Sequence, residues 1–115
     1  MNNVEINSPL ALQLFLSKDE EDHLSMLAPA EKATFAIFLQ NINDQLSLNS
    51  ADSRASLQEN ITGIKNWFIE KKIDPKFFKK TEKYLKIFLN HSIIETEKMA
   101  PRLAFRCDQM LKVLN

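Results

Sequence analysis

One glycine, Gly63, is all that 115 residues contain, and this scarcity limits the fold more than any other feature. Tight hairpin turns draw on positive-φ positions that glycine fills without steric cost. A sheet of many strands would therefore lack turn chemistry, whereas helix interiors need none. The four prolines stand where helices start or stop. Ser8-Pro9 and Asp74-Pro75 each set a capping side chain before proline at a first helical position. Pro29 disfavours helical geometry in Ala28 before it, and Pro101 is expected to break or kink whatever helix reaches it.

Between these punctuation marks, apolar residues recur at helical spacing. A short helix is expected over 8–16. Ser17-Lys-Asp-Glu20 has capping-box spacing, with the acidic run Asp19–Asp22 in a first turn, and that helix should end near residue 28. Phe35, Phe38, Leu39, Ile42 and Leu46 predict a helix over 29–47. After a polar loop, Asp52 or Ser53 caps a helix reaching residue 72, with Leu57, Ile61, Ile64 and Phe68 on one face. The next helix is expected over 75–99, burying Phe78, Tyr84, Leu85, Phe88 and Leu89. The last, over 102–114, carries Leu103, Cys107, Met110 and Leu114. The expected architecture is all-α, a compact bundle of five or six amphipathic helices. It forms a single domain over 8–115 after a loose segment at 1–7.

Chemistry is harder to find. A lone cysteine, Cys107, allows no intrachain disulfide, which fits a reducing, cytoplasmic setting. No basic residue precedes the apolar stretch at 10–16, so a secretory signal is not expected, and no run approaches the ~18 apolar residues of a membrane span. Glu20 and His23 form one Glu-x-x-His pair, and His91 and Glu95 stand at i, i+4. A carboxylate di-metal centre needs that pair twice, with two further glutamates. Nucleophilic catalysis would need Cys107 beside His23 or His91, yet Cys107 lies on an apolar stripe where thiols are inert. With no glycine-rich phosphate loop either, no catalytic, cofactor-binding or metal residue is assigned, and an enzyme is not expected.

The zero net charge hides a polarity. Residues 1–64 carry three basic and nine acidic side chains, −6, and residues 65–115 carry twelve basic and six acidic, +6. The basic surplus is focused: Lys76, Lys79, Lys80, Lys83 and Lys86 fall within about 120° of a helical wheel, opposite the apolar side. Lysine stems on such a face also cover neighbouring apolar surface. Ile87 and Ile94 project into this basic side, Lys65, Lys71 and Lys72 extend it across the preceding helix, and Trp67 lies off its own helix's stripe. Lysines with embedded apolar groups match a protein-docking surface better than a phosphate track, and the stripe contains no arginine to read bases. The reading is a small non-catalytic interaction module, an adaptor, regulator or inhibitor. It docks an acidic partner through Lys72, Lys76, Lys79, Lys80, Lys83, Lys86, Ile87, Ile94 and Trp67. Weak, sequence-independent nucleic-acid binding is one alternative, and a homo-oligomer pairing acidic end to basic face is another. No membrane partner and no cofactor are expected.

Overall fold

The computed structural model describes residues 14–115. They form five helices: α1 (Lys18–Ser25), α2 (Pro29–Leu48), α3 (Ala51–Lys71), α4 (Lys76–Leu89) and α5 (Met99–Leu114). Among the described residues there is no strand. The radius of gyration is 13.7 Å, close to the ~13 Å of a compact chain of about 100 residues. The helix expected over 8–16 lies mostly outside the described residues, and its last three, 14–16, are not helical.

Local chemistry sets each start. Ser17 Oγ accepts from the Glu20 N–H (3.1 Å) while Glu20 Oε1 accepts from the Ser17 N–H (2.9 Å), the reciprocal box read from the sequence. Ahead of α2, Ala28 has no capping side chain, but Glu31 reaches back to its N–H (2.9 Å). The loop before α3 is shorter than expected. Asn49 ends α2 in the left-handed region (φ 41°), a conformation asparagine tolerates. Ser50, rather than Asp52 or Ser53, then caps α3, and Ser53 hydroxyl and backbone return the bonds.

Two further boundaries differ from expectation. The helix expected to open with Pro75 as its first residue starts at Lys76, with Pro75 at the cap position, and stops at Leu89 instead of reaching residue 99. Ser92 and Glu95 form their own reciprocal cap, with Glu95 Oε1 on the Ser92 N–H (2.8 Å) and Ser92 Oγ on the Glu95 N–H (3.1 Å). Residues 90–98 thus turn away from the α4 axis. Pro101 breaks nothing, because α5 starts at Met99 and proline's missing N–H is harmless in a first turn.

Residues from all five helices share one core. Phe35 of α2 is its hub, fully buried and 5.5–6.2 Å, centroid to centroid, from Trp67, Phe68, Phe77 and Phe78, distances at which aromatic pairs attract. Helix α2 lies against α3 and α5, while α1 lies against α4 and α5.

A buried arginine fastens α1. Arg106 of α5 has no solvent exposure. Its guanidinium pairs with the Glu20 carboxylate, donates to Thr81 Oγ1 of α4 (2.8 Å) and to the Phe15 carbonyl (3.4 Å), and lies 5.8 Å from the Tyr84 ring centre. One Glu20 oxygen caps its own helix while the other meets α5. On the far side, Arg54 of α3 gathers the carbonyls of Phe88 (2.6 Å) and His91, bonds Asn49 Oδ1 (2.9 Å) and stacks over Phe88 (4.6 Å). The acceptors left over at the end of α4 are satisfied there by a side chain from another helix.

Two stability outcomes follow from these contacts. Glu20→Ala strands a buried guanidinium, so unfolding in urea should show a loss of about 3–5 kcal/mol, much of it recovered in the double variant Glu20→Leu, Arg106→Met. A Cβ at Gly63 would meet the Phe38 ring at 3.6 Å, an ordinary contact. Gly63→Ala should therefore raise stability by about 0.5–1 kcal/mol in the same assay.

A lysine ridge between two depressions

Helix α4 turns Phe77, Phe78, Thr81, Tyr84, Leu85 and Phe88 inward, and the same periodicity turns its lysines outward. Lys76, Lys79, Lys80, Lys83 and Lys86 are all exposed. Lys86 (3.0 Å) and, from α3, Lys65 (2.9 Å) converge on Glu82 Oε2. Burial alone lifts the Glu82 carboxyl, but bonds and charge from the two lysines outweigh it and hold its pKa below the ordinary 4.5. Lys76, Lys79, Lys80 and Lys83 form no ion pair with any described residue. Among the described residues they make a ridge of unneutralised charge.

On one side of the ridge lies α1. A cleft of about 460 Å³ separates them, with Asp19, Glu20 and His23 on one wall and Lys76, Lys79, Lys80 and Lys83 on the other. The acidic and basic halves of the sequence thus meet within one copy. Yet no ion pair among the described residues spans this cleft, and the direct pairing is Glu20 with Arg106 beneath it.

On the other side, between α3 and α4, a groove of about 380 Å³ has an apolar floor of Phe68, Ile69, Ile73 and Pro75, flanked by Lys65, Lys72, Lys79 and Glu82. Its geometry comes from the way α3 ends. The Ile73 N–H bonds the Phe68 carbonyl (2.9 Å) and the Lys72 N–H the Ile69 carbonyl (3.2 Å), the pair of bonds of a Schellman ending with Lys72 at the left-handed position. Lys72 has φ 56° and ψ 41°. Glycine is the usual occupant, and a residue with a Cβ costs about 1 kcal/mol more there. Ile69 is 76% exposed, one of eight large apolar side chains exposed among the described residues and the one that lies in this groove beside lysines.

The other expected contact residues are placed differently. Ile87 is half-buried against the core and lines a shallow depression with Lys79, Lys83 and Lys86. Ile94 is 80% exposed, but it sits in the turn segment after α4, because the Ser92–Glu95 cap ends the helical register that linked it to the lysines. Trp67 is half-buried, near-parallel to Phe35 (7°) and 5.9 Å from Phe38, and it lines none of the depressions around α4. Ile69 and Ile73 escaped the sequence reading. Their signal was present in Lys65, Ile69 and Lys72 at i, i+4, i+7, one face of α3.

Burial pushes the Cys107 thiol up to about 12. His23 and His91 each place Nδ1 against a carbonyl one turn back, Asp19 (2.7 Å) and Ile87 (2.8 Å). Among the described residues no three His, Cys, Asp or Glu side chains converge as metal ligands, and no helix is long and apolar enough to cross a membrane.

The Glu82 cluster has a pH signature. Its folded pKa is depressed, so its stabilisation is complete above the unfolded value of 4.5 and is lost as pH falls through the lower folded value. Urea unfolding of wild type and Glu82→Gln should show a stability gap at pH 7 that closes progressively below pH 4.5. A pH-independent gap would mean that the lysines do not hold this carboxylate. No protein-family model, curated protein or solved structure matches the chain.

Proposed function

We propose that this helical-bundle protein is a non-catalytic interaction module, an adaptor, regulator or inhibitor, that docks an acidic protein partner on the α4 ridge. The observation that carries this reading is the combination of four exposed lysines, unpaired among the described residues, with an exposed apolar residue, Ile69, in the adjoining groove. Free cations attract and orient an acidic surface. Buried apolar contact then supplies affinity that charge in water does not.

Two features favour protein over nucleic acid. A phosphate track wants continuous positive potential, whereas Asp19 and Glu20 form the facing wall of one depression and Glu82 sits beside the other. Arginine is the cation best suited to phosphate forks, and two of the chain's three, Arg54 and Arg106, have their guanidinium groups engaged inside the fold.

The test is a pull-down from native lysate, with and without nuclease, comparing wild type with a variant carrying Lys76, Lys79, Lys80 and Lys83 all changed to Glu. A protein captured after nuclease treatment should bind the variant at least about tenfold more weakly. Recovery of nucleic acid alone, with a log–log salt slope of about −3 to −4 for four phosphates, would replace this reading with the nucleic-acid one. Equal capture by the folded variant would remove the ridge from function.

A further inference from the structure

We infer that the partner's docking element is a short amphipathic helix, acidic on its flanks, whose apolar side chains enter the α3–α4 groove over Ile69 and Ile73, with Lys72 held as a cation at the groove's lip. The inference rests on the acidic-partner reading above and adds the occupant and its seat.

The shape of the site selects the occupant. A groove of about 380 Å³ receives a few side chains, not a whole helix, so the bound element lies across it and inserts one face. Of the ways peptides dock on folded domains, three seat apolar side chains: an added strand, a polyproline segment on exposed aromatics, and a helix in an apolar groove. Among the described residues there is no sheet edge, and Phe68 in the floor is 2% exposed and offers no aromatic shelf. The helix mode remains, and two helices with an apolar seam between them form its usual receptor. Charge then sets the flanks. Lys72 on the α3 side and Lys79 on the α4 side lack an ion-pair partner among the described residues, so carboxylates on either edge of the inserted face have a cation to meet.

Lys72 supplies an independent argument. The Schellman bonds require a left-handed residue at this position, where glycine would be relaxed, yet the chain has a lysine. Its ammonium has no carboxylate partner among the described residues, and inside the fold its charge gains only the modest attraction of the negative end of α3. A strained position kept in a surface lip is where function outranks stability.

A displayed library of random peptides about 15 residues long, selected on the intact protein, tests this directly. Enriched sequences should pair apolar residues at i, i+3 or i+4, and i+7 with flanking Asp or Glu. Ile69→Glu should weaken the best peptide more than about tenfold. Lys72→Gly should weaken it about two- to fivefold while unfolding at a urea concentration no lower than wild type. Acidic peptides without the apolar spacing, indifferent to Ile69→Glu but lost in the Lys76, Lys79, Lys80, Lys83→Glu variant, would overturn the helical seat and leave the acidic-partner reading standing. Absence of acidic enrichment would overturn both. A less stable Lys72→Gly variant, or one that binds like wild type, would overturn the role given to Lys72.

Discussion

The pairing of Arg106 with Glu20 is the contact on which the arrangement of α1 depends. Removing a guanidinium from water is costly, and it is sustained here because each direction it donates is met: a carboxylate from α1, a hydroxyl from α4 and a carbonyl from the segment before α1. The eight residues of α1 are too few to persist as an isolated helix. Its capping box and buried ion pair share one carboxylate, so helix formation and docking reinforce each other. Because α1 is held there, its acidic start forms one bank of the lysine ridge.

Arg54 plays the corresponding part at the opposite end of α4. By collecting the carbonyls of Phe88 and His91 it finishes α4 and holds residues 90–98 against the α2–α3 connection, where Asn49 and Thr96 also meet. Helix α4 is thereby held by arginines from two other helices, at Thr81 in its middle and at Phe88 near its end. Its lysines are presented from a rigid support, which lowers the entropy lost when a partner binds.

Much of this was legible in the sequence because it is local. The Ser17–Glu20 box, the α2 and α3 stripes and the outward face of α4 are set by spacing alone. The missed boundary at Leu89 was legible too, since Ser92-x-x-Glu95 has the same box spacing, but the apolar run through Ile93 and Ile94 reads as continued helix. What spacing could not give was pairing across distance. Nothing within a few residues of Arg106 marks it as buried, because its partners lie 25 to 91 residues away. The groove was hidden for the same reason. Ile69 belongs to α3 and Pro75 caps α4, and only the turn through Lys72 brings them together. Trp67, read as a possible exposed anchor, packs on Phe35 and Phe38 of α2, a neighbour that its own helix does not reveal.

Cys107 has a consequence of a different kind. It is the chain's lone cysteine, wholly buried and adjacent to Arg106. With its thiol unreachable and its ionisation suppressed, the folded protein is silent toward alkylating reagents. Any modification must wait for the α5 core to part from its neighbours, so the rate of thiol labelling is a built-in clock for opening of the molecule. Cys107 does not line the groove, so a bound helix there would slow the clock by stabilising the whole fold, and would report its own affinity through a residue it never touches.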